Sequence, residues 1–440
     1  MSISSGFPSR IPIASQKASG LMSSSDKIKL DNINPGDILA SKEEIDKLKD
    51  TITPTKVYGI AINMSNSDPY TCVTYTDDAI NFSPLFVNKI TSECNYGSWK
   101  EIIDSTFKPK PVLVKDGNVV MYLDENNFAR NIYGVGVDIN SGAAGDVMIE
   151  FSKIYYKLEK AGDIINFKIS TKKIDETWTC DAFLSENGLY EECDHIYIGA
   201  YEATVDEDGK LRSLSGYVPV ANNPISQFRG YAENNGINYK QMNFVKRELI
   251  SFLTIMVTKT LDVQSKIGKG VSQLEWTGNN NAIKTGTMNT NGLFYGESTG
   301  KQGIKVFGIE NFWGNLNEFV EGLIRNESTL YYKKAGPYND TGSGYNLAGE
   351  LPLSKGGWIK SKDIIDGIIS VPSEYDASSN TYFSDYCYMP DLDDLICIGT
   401  AGGSFFNNLS CGVSCIDLRS EPGTVNQSIG SRLVCTEKEE

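Results

Sequence analysis

An α+β fold is predicted by three observations along this 440-residue chain. From Lys56 onward, β-branched and aromatic residues run or alternate between Gly, Asn and Asp, the pattern of short strands. Two helix-patterned segments follow, at Ile225–Gly236 and Tyr239–Asp262. Beyond them the sequence returns to short strand-like pieces and irregular loops set around glycines. Helices segregated from strands, not alternating with them, argue against a parallel α/β sheet. At this length two or three domains are expected.

Residues 1–55 differ from the rest. A polar, Ser-rich start leads into Gly20–Ile33, "GLMSSSDKIKLDNI", and then Ser41–Ile52, "SKEEIDKLKDTI". The second reads as a short helix, with Ser41 and Glu44 at capping-box spacing and Ile45, Leu48 and Ile52 on one face. One heptad of apolar stripe is too short to stand alone, so it is expected either to pack against other chains of a particle or to be a solvated linker.

A β-rich module is expected over 56–143. It contains "KVYGIAINM", "TCVTYT" and "PVLVKDGNVVMYL", with Lys115–Asn118 as a hairpin turn. A loop at Ala143–Asp146 separates it from a larger mixed domain over 144–440. Within that domain Ile225–Gly236 reads as a short helix ended by Asn-Asn-Gly. In the next segment Val245, Leu249, Phe252, Leu253 and Met256 recur at helical spacing, with apolar residues on other faces too, which marks a core helix. The polar Ser272–Gly303 stretch reads as a long decorated loop.

Composition narrows the function. A net charge of −15 without any basic stripe disfavours nucleic acid, whose phosphates need clustered Lys and Arg. The N-terminus lacks the apolar run of a signal peptide. The most apolar stretch, Leu249–Val257, is too short to span a bilayer. A soluble protein assembled in the cytoplasm, with its nine cysteines reduced, is therefore expected.

Catalytic and metal signatures are weak. The single histidine, His195, has no accompanying nucleophile motif, and a structural histidine is the simpler reading. Cys411 and Cys415 form one loose pair without the second pair that zinc requires, so buried core thiols are expected there. Asp391–Leu395, "DLDDL", lacks the glycine and spacing of an EF-hand loop and reads as an acidic turn. Lys266–Gly270 and Gly399–Ser404 are glycine-rich without nucleotide-binding spacing. No cofactor, no metal and no enzymatic activity are expected.

A binding surface remains. Polar loops carry aromatics at Asp385–Met389 ("DYCYM"), Gly356–Trp358 ("GGW") and Phe405–Asn408 ("FFNN"). Tyr, Trp and Asn together supply large contact areas and adaptable hydrogen bonds, the composition of loop-built recognition sites.

Two resemblances sharpen this. Gly20–Ile33 is similar to a G-L-M-S-x-x-D-K-x-K-L-D-x-I segment that recurs in bacteriophage tail-fibre and tail-tip proteins. The C-terminal part resembles the C-type-lectin-like domain shared by formylglycine-generating enzymes and the variable proteins of diversity-generating retroelements. Three motifs stand in the family's order: Trp313–Phe319 ("WGNLNEF"), Gly402–Phe405 ("GGSF") and Ile429–Val434 ("IGSRLV"). Asn317 and Ser431 depart from the usual aromatics. Blocks such as "IYIGAYEA" and "GIENFWGN" look like those of prophage structural proteins and extend the resemblance over most of 56–440.

The resemblance implies a receptor-binding protein at the tail tip of a phage or a phage-tail-like bacteriocin. It would be held to baseplate or fibre proteins through its N-terminus, be a homotrimer, and be released by lysis. The family's enzyme branch places two copper-binding thiols after its G-G-S-W/F motif. Here Asn407 and Gly412 occupy those positions, and Cys411 and Cys415 are out of register, so copper oxidase chemistry is disfavoured. Glu421–Gly423 ("EPG") only half resembles the lectin E-P-N motif, so calcium-dependent sugar binding is not implied. In diversified members the contact face lies between the G-G-S-W/F motif and the closing strand. The receptor-binding residues expected here are thus Phe405, Phe406, Asn407, Asn408, Ser410, Asn426 and Ser428, with Tyr386, Tyr388 and Trp358 from the aromatic loops. The bound receptor is expected to be a bacterial surface protein or glycan. A purely structural tail subunit is the alternative.

Overall fold

The Lys115–Asn118 turn shows how local chemistry sets register in this chain. Asp116 and Gly117 both adopt positive φ, 52° and 80°, the conformation that joins two right-twisted strands through two residues. The strands on either side, Lys110–Lys115 and Asn118–Asp124, pair antiparallel with Lys115 opposite Asn118.

A computed structural model of the chain describes residues 55–351, 356–390 and 395–437. The expected attachment segment at 1–54 with its Ser41–Ile52 helix, and positions 391–394 of the acidic turn, lie outside the described residues. Among the described residues strands dominate and helices are few, with main sheets of four, seven and eight strands.

The four-stranded sheet places Tyr58–Asn63 between Val73–Asp77 and Ile164–Ser170. In the seven-stranded sheet Lys110–Lys115 pairs with Asp146–Ser152, which in turn pairs with His195–Gly199. Strands from both sides of position 143 therefore share two sheets. The module expected over 56–143 and the domain expected over 144–440 are built into one compact unit, Lys56–Glu440.

The eight-stranded sheet carries the C-terminal part. Asn317–Asn326 pairs with Ile396–Ala401, which pairs with Ile416–Ser420. Tyr386–Tyr388 and Gly356–Trp358 complete that side. The closing segment bridges two sheets. Ile429–Gly430 lies parallel to Asn317–Glu318, and three residues later Leu433–Thr436 enters the seven-stranded sheet between Tyr239–Gln241 and His195–Gly199.

The core helix runs from Phe244 to Thr258, and all fifteen of its residues are buried. It starts later than its periodicity suggests because Tyr239–Gln241 is drawn into a strand against Leu433–Cys435. Asn243 then caps it, its side-chain oxygen accepting from Lys246 N at 2.8 Å. Lys259 ends it in the left-handed region, φ 53°. Three consecutive charges on this buried helix each meet an opposite charge. Lys246 pairs with Glu186 at 2.5 Å, Arg247 with Glu318 at 3.6 Å, and Glu248 with Lys362 at 3.2 Å. Unpaired, any of them would carry a large desolvation cost.

Candidate functional site, a loop-built recognition face

The three sequence motifs meet at one place. Asn317 accepts from Gly403 N at 3.2 Å through its side-chain oxygen. Asn315 accepts from Phe405 N at 2.8 Å through its carbonyl. Glu318 takes three hydrogen bonds from Arg432 of the closing segment. Gly403 has φ +77°, and a Cβ there would lie 2.7 Å from Cys411 Sγ, so the chain turns sharply here only because the residue is glycine.

After this turn the chain folds into a small polar knot. Asn407 Oδ1 accepts from both Ser404 N and Ser404 Oγ at 2.7 Å. Main-chain hydrogen bonds then tie four loops in two pairs. Leu274 N donates to Phe405 O at 2.7 Å, Asn408 N to Ser272 O at 2.8 Å, and Asn222 N to Asn426 O at 2.9 Å. Trp276, half exposed, stacks on Phe405 with ring centroids 6.0 Å apart and tilts against Phe406 at 5.0 Å.

A row of side chains on the eight-stranded sheet continues this face. Tyr386 and Tyr388 are two residues apart on one strand and share a side, while Cys387 between them points into the core. Their ring centroids are 4.5 Å apart. Trp358 sits opposite Tyr386 across the strand pair and meets it edge-on at 5.4 Å. Asp417 lies beside Tyr388 in register. Arg419, two residues further on the same side, places its guanidinium 4.3 Å over the Tyr388 ring. Its Nε and Nη2 donate to Asp417 at 2.9 and 2.7 Å. That hydrogen-bonded pairing raises the Arg419 pKa, and burial pushes the Tyr388 hydroxyl up to about 12, so it stays protonated.

Between the row and the loops lies a cavity of about 340 Å³. Phe406, Asn407, Asn426 and Ser428 line it, together with Asp417 and Arg419. Tyr388 reaches its edge, its hydroxyl 3.5 Å from Asn407 Nδ2.

Of the residues expected from sequence, these four line the cavity, and Trp358, Tyr386 and Tyr388 form the adjoining row. Asn408 is exposed and Ser410 half-buried on the same loop. Phe405 differs: its side chain is fully buried against Val271 and Leu316, so it supports the face from beneath. Trp276, Asp417 and Arg419 were not anticipated. Trp276 stands in a polar stretch without periodicity. Asp417 and Arg419 alternate with buried Ile416 and Leu418, a period-two signal that places them on the open side of a strand.

The thiols sit beneath the face. Cys411 and Cys415 are buried, and burial pushes both above the ordinary thiol range. Gly412 between them has φ +152°, and a Cβ there would fall 1.8 Å from Asp385 Oδ1. A thiol at 412 therefore has no room in this fold. Asp385 accepts from Ser414 N at 2.7 Å, and burial raises its carboxyl well above the usual range. His195 is remote from these groups in the hydrogen-bond pattern, its ring paired with Glu437. Among the described residues no three His, Cys, Asp or Glu side chains are grouped to hold a metal ion.

No family model matches the chain, and no curated protein matches it. Among solved structures it is similar to the Major Tropism Determinant U1 Variant, at 13% identity and a TM-score of 0.29 over 76% of this chain and 73% of that one. The Major Tropism Determinant M1 Variant gives 12% identity and 0.29 over 76% and 74%. PvdO from Pseudomonas aeruginosa gives 10% identity and 0.31 over 68% and 97%.

Proposed function

We propose that this chain is a receptor-binding protein of a phage tail tip or phage-tail-like particle. It adheres to the bacterial surface through the face formed by the four tied loops and the Trp358–Tyr386–Tyr388 row. The observation that carries this reading is the face itself: partly exposed aromatics and amides, drawn from separate segments, are gathered on one sheet and its loops beside one cavity. Rigid aromatic anchors beside adaptable polar groups favour recognition over chemistry.

On this reading residues 1–55 attach the protein to baseplate or fibre proteins, as the Gly20–Ile33 resemblance implies. Several copies, a trimer as the family resemblance implies, turn modest single contacts into firm adhesion. The role is non-enzymatic. Cys411 and Cys415 are held as protonated thiols away from solvent, and a nucleophile or copper ligand needs an accessible thiolate.

The test is adsorption of the labelled full-length chain to a panel of candidate host strains, with Trp358→Ala and Tyr386→Ala as controls. Saturable binding that both substitutions weaken is expected. A folded chain that ignores every strain to which the intact particle adsorbs would make this a structural subunit instead. A stoichiometric copper site involving Cys411 or Cys415 would point to the oxidase branch.

A further inference from the structure

We infer that the cavity between the Ser404–Asn407 and Thr424–Ser428 loops is a site for one uncharged sugar ring of a surface glycan, bound without a metal ion.

The lining carries the argument. Of its eleven residues, nine have hydrogen-bonding side chains, and only Phe406 and Ile429 are apolar. A peptide anchor such as Leu, Phe or Trp would leave those polar groups buried and unpaired, at a cost for each. A pyranose has the complementary chemistry, with hydroxyls around its rim and one C–H face for an aromatic wall such as Phe406. A volume of about 340 Å³ is near the small end of ligand cavities and fits a ring or two, not an extended chain.

The unspent hydrogen bonds point the same way. Asn426 Oδ1 already accepts from Ser428 N at 2.9 Å and Ser428 Oγ at 2.8 Å. Its Nδ2 has no partner among the described residues and is free to donate. Asn407 Oδ1 is likewise occupied by Ser404, leaving Nδ2 with only the long 3.5 Å contact to Tyr388. Both amides are thus fixed in orientation by their oxygens and offer nitrogen to a ligand. Arg419 spends Nε and Nη2 on Asp417, which neutralises its charge. The cavity therefore presents donors without net charge, which suits hydroxyl and acetamido oxygens better than a carboxylate or phosphate.

This inference rests on the receptor-binding reading for where the glycan lies, and on the cavity alone for what it is. The full-length chain is applied to immobilised bacterial lipopolysaccharides, capsular polysaccharides and peptidoglycan. Saturable binding to at least one is expected, competed by a neutral monosaccharide and unchanged by EDTA. Asn426→Asp keeps an oxygen to cap Ser428 but turns the free donor into a charged acceptor, so it should weaken binding about tenfold while the thermal melt shows the chain still folded. Phe406→Ala should weaken it at least as much. Binding to no polysaccharide, binding lost with EDTA, or binding indifferent to both substitutions overturns the sugar site. Whole cells separate the two readings. If protease treatment of cells abolishes adsorption and periodate does not, the receptor role stands and the sugar site falls. If polysaccharide is bound but no cell is, the sugar site stands and the receptor role falls.

Discussion

Arg432 and Glu318 form a fully buried ion pair where two sheets meet. Arg432 donates to Glu318 through Nε at 3.0 Å and Nη2 at 2.5 Å. Arg432 Nη1 also donates to Gly199 O at 2.9 Å, in the neighbouring sheet. Glu318 belongs to the eight-stranded sheet, and Arg432 sits in the step by which the closing segment leaves it for the seven-stranded one. Two of the three motifs that resemble family signatures, Trp313–Phe319 and Ile429–Val434, are thus the two halves of one fastening.

Removing one partner strands the other charge in the core. Arg432→Met should destabilise the protein by about 3–5 kcal/mol, because buried pairs are costly to break from one side. The denaturant midpoint measures this. A loss under about 1 kcal/mol would mean that Arg247, 3.6 Å from Glu318, takes over the pairing.

Asp385 gives a pH signature. Burial raises its folded pKa above the ordinary 3.8. A raised value means that its contribution to stability is present below that ordinary value and is lost as pH rises through the folded one. Asp385→Asn, neutral at every pH, should therefore gain in melting temperature relative to the wild type as pH rises above the ordinary 3.8. A difference that stays flat across that rise would show Asp385 ionised in the fold.

Gly412→Ala should cost about 2 kcal/mol or more, since the new Cβ meets the Asp385 carboxylate and the backbone conformation disfavours any side chain. Gly134, also at positive φ but with open space around it, is the control, and Gly134→Ala should cost less. Equal losses at the two positions would remove the steric argument.

Thiol accessibility follows from burial. None of the nine cysteines is in a disulfide, and only Cys94 is even partly exposed. At neutral pH the native protein should react with DTNB at Cys94 at most, slowly, because burial pushes that thiol up to about 12. Fast reaction at Cys411 or Cys415 would mean that the loop above them opens.

Much of this was legible in the sequence where the signal is local. The Asp116–Gly117 turn, the buried helix and the glycines of "GGSF" each declare themselves through conformation or periodicity. What was hidden is non-local. Nothing near Tyr239 says that Leu433–Cys435 will claim it as a strand, and the Ala143–Asp146 loop looks like a boundary until Lys110–Lys115 is seen paired across it. The face behaved the same way. Phe406, Asn407 and Asn426 follow from their place between two motifs, yet Phe405, adjacent and equally aromatic, is buried. Trp276 reaches the face from a segment more than a hundred residues away.

The ties among the four loops are made by main-chain atoms, which every residue except proline carries in full. Leu274, Asn408 and Asn222 hold their neighbours by donating their amide N–H groups, Asn408 and Asn222 from the left-handed region at φ 55° and 65°, which asparagine enters more readily than most residues. Phe406 takes no part in those ties through its side chain, so its ring can be changed with less effect on the backbone beneath it than Asn426, whose side chain caps Ser428.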